Sequence, residues 1–165
     1  NVDISAGHIL LDNGYGINFA ATSDASGMSS EILDDYEEGS WTASVTAGTA
    51  PSAGAQTITG YYVKVGKKVF VHAGAVSGLN LGGASGAMVI NGLPFTARGS
   101  TYQLFQLAPN NAGTFPSGRT QLTGYVAGNT QIVALTVGSG VGWNDFNIGT
   151  NSSAGLMISG TYEVA

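Results

Sequence analysis

Two polar stretches hold most of the side chains suited to meeting a ligand. Trp143-Asn144-Asp145-Phe146-Asn147 lies within a Gly- and Ser-rich run over 138–155, and a second run over 108–119 supplies Asn110, Asn111, Phe115 and Arg119. Sugar rings present apolar C–H faces and a rim of hydroxyls. An exposed aromatic ring stacks on the face, while amides, carboxylates and guanidinium groups bond the rim. The expected ligand-contacting residues are therefore Trp143, Asn144, Asp145, Asn147, Asn110, Asn111 and Arg119, with Tyr102 suited either to ligand contact or to packing. The plainer alternative is that Trp143 and Phe146 plug the end of the fold, since large loop aromatics more often pack inward.

Catalytic groups are sparse. The two histidines, His8 and His72, have no Gly-x-Ser-x-Gly elbow to serve, and His72 reads as an ordinary strand residue between Val71 and Ala73. Glycoside hydrolysis needs two carboxyl groups facing one another across a cleft. From residue 41 onward only Asp145 and Glu163 are acidic, so the chain is expected not to be an enzyme, with a polysaccharide depolymerase as the minority reading. The run Asp34, Asp35, Glu37, Glu38 has enough oxygens for Ca²⁺ but lacks the EF-hand spacing. No metal and no cofactor is expected. With no cysteine, disulfides and thiolate chemistry are excluded. Asn151-Ser152-Ser153 is a formal glycosylation sequon, read as coincidence.

Charge is unevenly placed along the chain. Residues 1–40 hold eight acids and no Lys or Arg, whereas residues 41–165 hold two acids and five bases. The sequence pI near 4.6 argues against a nucleic-acid partner, whose phosphates call for Lys and Arg. No apolar run is long enough to cross a membrane, so membrane insertion is not expected. The chain opens at Asn1 and is expected to be a piece of something longer.

Only 9% of the residues are charged and 26 are Gly, a composition that reads as all-β with many tight turns. Residues 1–22 carry Val2, Ile4, Ile9, Leu10, Leu11, Ile17 and Phe19 broken by glycines, too little to form a core alone. Residues 23–40 form an acidic linker. In it a short helix is expected over 29–36, capped by Ser29 or Ser30 and ended by Gly39. From Trp41, read as core, the period is two. Tyr61, Val63 and Val65 alternate with Tyr62 and Lys64, and Gly66-Lys67 suits a type II′ hairpin turn. Gly128-Asn129 marks another hairpin, and Leu156, Ile158, Tyr162 and Val164 share a face. About eight strands and long connections at 47–56, 108–119 and 138–155 suggest an antiparallel, jelly-roll-like β-sandwich over 41–165.

Three segments carry a resemblance. They are Glu31-Ile32-Leu33-Asp34-Asp35-Tyr36-Glu37-Glu38-Gly39-Ser40-Trp41, then Gly60-Tyr61-Tyr62-Val63-Lys64-Val65-Gly66, then Gly92-Leu93-Pro94-Phe95. Together they resemble the C-terminal tip domain of bacteriophage tail fibres. The resemblance implies a homotrimer with an N-terminal β-rich stem and a sandwich head, carried on the virion. Its partner would be a surface glycan or outer-membrane protein of a bacterial host. It also implies scaffold roles for Tyr61, Val63, Phe70, Leu93 and Phe95, and it transfers no catalytic residue. The competing readings are a structural fibre or decoration domain without a ligand, the tip of a bacterial trimeric surface adhesin, and a monomeric carbohydrate-binding module.

Overall fold

The computed structural model describes residues 7, 9–12, 15–19, 25–26 and 30–165. Val2, Ile4, His8 and Ser29 lie outside the described residues. The described residues are all-β. The elements are β1 (Ile17–Asn18), β2 (Ile32–Leu33), β3 (Tyr36–Thr49), β4 (Gln56–Val65), β5 (Lys68–Leu79), β6 (Ser85–Asn91), β7 (Gln103–Asn110), β8 (Gly113–Thr114), β9 (Gln121–Val126), β10 (Gln131–Gly138), β11 (Val141–Asp145), β12 (Asn147–Ile148) and β13 (Ala154–Glu163).

The sheet is a closed barrel, where a two-sheet sandwich had been expected. Strands pair antiparallel in the order β10-β9-β7-β13-β5-β4-β3-β6, and β6 pairs back onto β10. Closure makes eight walls, and the strands left at the edges are the short β11 and β8. The seam is fastened by backbone pairing of Gln131–Val133 with Val89–Asn91 and by the Gln131 amide donating to Asn91 Oδ1 at 2.8 Å.

An eight-stranded antiparallel barrel is just wide enough to be filled by side chains. Alternate residues supply that filling. Trp41, Ala43, Val45, Ile58, Val69, Val71, Met88, Ile90, Phe105, Leu107, Ile132, Leu156, Ile158 and Tyr162 are all buried. The expected period-two faces are present, but the barrel decides which one points in. Tyr62 and Lys64 face the base of the core, while Tyr61 and Phe70 are exposed on the outer wall. They serve the scaffold by strand pairing and not as core side chains. The hairpin at 66–67 forms as expected, with Gly66 at φ +55° joining Val65 to its partner Lys68.

No helix forms over the described part of 29–36. Ile32 and Leu33 pair instead with Asn18 and Ile17, and Tyr36 opens β3. Ser30 Oγ accepts the Ile32 amide at 3.1 Å, a local turn in place of a helix cap. Gly39 is interior to β3 and ends nothing. The physical reason is that two turns of helix repay little of their nucleation cost. The same backbone extended along β4 makes a ladder from Tyr36↔Val65 to Val45↔Gln56. The domain boundary expected at residue 41 thus falls inside β3.

That ladder sets two of the resembling segments against each other in register, and the third closes on them. Trp41 lies opposite Gly60, and its indole N–H donates to His72 O at 3.3 Å. A Cβ on Gly60 would sit 2.4 Å from that indole nitrogen, so only glycine fits. Tyr62 donates to the Glu37 carboxylate, and its ring meets Phe95 edge-on with centroids 5.4 Å apart. Lys64, buried, is ion-paired with Asp35 and lies 5.5 Å from the centre of the Phe95 ring. Phe95 N–H donates to the Tyr162 hydroxyl at 3.1 Å, and that hydroxyl donates to Phe95 O at 3.2 Å. Nearby, Lys68 at 3.1 Å and Arg98 at 3.5 Å flank Glu163 and hold its carboxyl below the usual range, chiefly through the Lys68 hydrogen bond. The barrel base thus gathers most of the chain's cations beside the acidic segment.

Removing Asp35 leaves the inward Lys64 without its anion. Asp35→Asn is expected to lower stability by about 1.5–3 kcal/mol, the range for a hydrogen bond between charged groups. A fully buried pair would lose more, but Asp35 is half exposed. Adding Lys64→Met should recover most of the loss, because the unpaired charge is then gone. Urea unfolding of both variants measures this.

The base also titrates at alkaline pH. Burial pushes the Tyr162 phenol up from 10.0 to about 12, and the Glu37 hydrogen bond raises Tyr62. A raised folded-state pKa contributes stability that is complete below the unfolded value and lost as pH rises through the folded one. Stability should therefore fall between pH 10 and about 12. Tyr162→Phe, less stable at neutral pH because Phe95 loses its partner, should show a shallower decline across that window in thermal melts.

Candidate functional site: an aromatic cleft on the barrel wall

The run over 138–155, expected as a loop, is largely strand. β10 pairs with β6 only through Gln131–Val133, and the two then splay. β11 fills the gap by pairing with Leu135–Gly138, and β12 pairs with β6 at Asn147↔Ala87. Between them Phe146 stitches the walls together. Its amide donates to Ala134 O at 3.0 Å, and its carbonyl accepts from Met88 N at 2.9 Å. The Phe146 ring is fully buried and lies 5.5 Å from that of Phe115. The packing alternative therefore holds for Phe146.

It does not hold for Trp143. Three residues earlier on the same ribbon, its ring is 69% exposed. It lines a cleft of about 280 Å³ with Asn144, Asp145, Tyr102, Tyr125 and Leu135. Tyr102, also 69% exposed, meets Tyr125 edge-on with centroids 5.1 Å apart. The three aromatics come from segments around 102, 125 and 143, brought together because β7 pairs with β9, β9 with β10, and β10 with β11. Leu135 faces outward yet is buried, covered by this cluster. Asp145 is the one carboxylate lining the cleft, and no Lys or Arg lines it.

Four of the eight expected ligand residues thus meet in one place: Tyr102, Trp143, Asn144 and Asp145. Arg119 stands behind the ribbon. Its Nη2 donates to Gly142 O at 2.8 Å, which holds the backbone just before Trp143. The other three lie toward the barrel end remote from Lys68 and Glu163. Asn110 Nδ2 donates to Val76 O at 3.0 Å, Asn111 takes a left-handed turn conformation at φ +54°, and Asn147 pairs with Ala87 and Thr114. Sequence reasoning missed Tyr125 and Leu135. Tyr125 stood on an ordinary alternating strand, and only its pairing with Val133 and its contact with Tyr102 draw it to the cleft.

The rest of the outer wall differs in character. Tyr61, Phe70, Leu104 and Met157 are exposed on adjacent strands β4, β5, β7 and β13. His72 lies among them with its ring 5.6 Å from Tyr61. The acidic residues once considered for Ca²⁺ are used separately: Asp35 on Lys64, Glu37 on Tyr62, Glu38 accepting from Tyr36 at 3.1 Å. Among the described residues no group of three or more His, Asp and Glu converges.

The chain matches no family model and no curated protein.

Exposed side chains contribute little to folding, and changes to them stay within about 0.5 kcal/mol. Trp143→Ala partly uncovers Leu135 and should lower the circular-dichroism midpoint only slightly. Arg119→Ala should be the more damaging of the two by roughly 1 kcal/mol, the worth of a typical hydrogen bond, because it frees the β11 backbone at Gly142.

Proposed function

We propose that this chain is the receptor-binding tip of a trimeric bacteriophage tail fibre, carried on the outside of the virion. It would attach to a glycan or outer-membrane protein on a bacterial surface, without turnover. The observation that carries the trimer is the state of the N-terminal segment. Ile9, Leu10, Leu11, Tyr15, Ile17, Phe19, Ile32, Leu33 and Tyr36 are all exposed, Leu10 by 89%. Among the described residues these side chains stay open to solvent, even though β1 pairs with β2 and Tyr36 opens β3. Three copies side by side would bury them against one another, at about 25 cal/mol for each Å² removed from water. On the barrel itself Tyr61 and Phe70 are exposed as well.

The receptor site in this reading is the Trp143 cleft. Binding without cleavage is favoured because the cleft has a single carboxylate, while Glu163, the other acid beyond residue 41, is engaged by Lys68 and Arg98. Hydrolysis of a glycoside uses two opposed carboxyl groups. Trimerisation would raise the avidity of shallow sites by about 10²–10⁴. A second reading, a fibre cap without ligand, is favoured by one observation. The three resembling segments all serve the barrel base and none reaches the cleft. The tip of a bacterial trimeric surface adhesin would share both the trimer and the cleft.

Light scattering on the full chain should give three times the 16.6 kDa chain mass. The same trimer, labelled, should adsorb to host cells and lose adsorption when Trp143→Ala is introduced. A monomer would sink the fibre reading, and a trimer that adsorbs to no bacterial surface would favour the cap.

A further inference from the structure

The cleft's chemistry carries a statement about ligand class, which rests on the receptor-binding reading above. We infer that it takes an uncharged sugar unit, a neutral hexose or N-acetylhexosamine, and rejects uronic acids and sugar phosphates. Three features of the lining argue for this.

The first is the platform. Trp143 is the most exposed large ring of the ribbon, and Tyr102 and Tyr125 stand beside it over Leu135. Such a surface desolvates the C–H face of a pyranose. Neither Tyr102 nor Tyr125 gives its hydroxyl to another described residue, so both are available to a sugar rim.

The second is the charge. Asp145 is the one carboxylate in the lining, and no described residue pairs with it. A carboxylate accepts from two neighbouring hydroxyls, the arrangement a sugar diol offers. The same group repels an incoming carboxylate or phosphate. Arg119 is not among the lining residues, and its guanidinium donates to Gly142 O. Gly142 lies three residues up an extended strand from Asp145, roughly 10 Å away. Lys64, Lys68 and Arg98 are occupied at the barrel base by Asp35 and Glu163. An anionic sugar would thus meet a like charge with no Lys or Arg among the lining residues.

The third is size. About 280 Å³ is at the small end of ligand clefts, enough for a terminal unit of a chain that continues into solvent.

The test uses the full chain and a panel of oligosaccharides ending in neutral hexoses, N-acetylhexosamines, hexuronates or hexose phosphates. The readouts are tryptophan fluorescence and calorimetry. Trp41 is buried in the core, so quenching by a ligand reports Trp143. Neutral termini should quench, and Trp143→Ala should abolish both quenching and heat. Matched acidic termini should bind at least about fivefold more weakly, the factor for one like charge at roughly 4 Å even in the dielectric of water. Asp145→Asn should narrow that gap, and so should added salt, which screens the exposed charge. A mere structural role for Asp145 would change affinity for both classes equally. Acidic termini binding as well as or better than neutral ones, through Trp143, would overturn the ligand class and leave receptor binding standing. A panel that leaves Trp143 unquenched while the chain still adsorbs to host cells would overturn the site but not the tip. Absence of both would overturn the receptor reading itself.

Discussion

Lys64 points inward because the strand does. On β4 the two-residue period that puts Tyr61, Val63 and Val65 outside obliges Tyr62 and Lys64 to face the barrel base, and a charge placed there must be met. Asp35 meets it directly, and the Phe95 ring faces the ammonium group. Because Asp35 also accepts the Gly66 amide through its carbonyl, the N-terminal segment is held at both backbone and side chain. Slipping β3 by one residue along β4 would take Asp35 from Lys64, Glu37 from Tyr62 and Trp41 from the space left by Gly60. The register of the longest strand pair therefore rests on this buried cation together with the Tyr62 and Gly60 contacts, and Asp35 is held with it.

The same arrangement accounts for the uneven charge of the chain. The described acids Asp35 and Glu37 lie at a base where Lys64, Lys67, Lys68 and Arg98 are gathered. The walls above are left nearly free of charge, their outward positions given to Tyr, Phe, Leu, Met, Ser, Thr and Gln. A wall of that kind can be covered by another protein surface without burying unpaired charge. Asp145 is conspicuous on it, which is why the cleft it lines has a chemistry distinct from its surroundings.

The cleft illustrates how far local pattern reaches. Trp143, Asn144 and Asp145 are adjacent in sequence, so their grouping was legible from composition alone. Whether Trp143 or Phe146 would pack was not legible, because both are large apolar rings in one glycine-rich run. The splay of β10 from β6 decided it. The inserted ribbon presents Phe146 to the interior, where its backbone bridges two walls, and leaves Trp143 outside beside Tyr102. Asn110, Asn111 and Asn147 had the same chemical credentials but were claimed by turns and strand pairing at the far end.

What the sequence by itself determined is what repeats over a few residues: strands with two faces, a hairpin where Gly66 supplies positive φ, the absence of thiol chemistry, and an acidic segment ahead of a nearly uncharged body. Each follows from the stereochemistry or charge of neighbouring residues. Tertiary structure alone decided which face of each strand was the inner one and that Tyr36 to Gly39 would be strand and not the end of a helix. It also decided that one sheet would close on itself where two were expected to stack. Those outcomes rest on pairings between residues far apart in the chain, such as Gln131 with Asn91 and Lys64 with Asp35. A pairing of that kind wins by satisfying backbone groups and charges that no local pattern can satisfy alone.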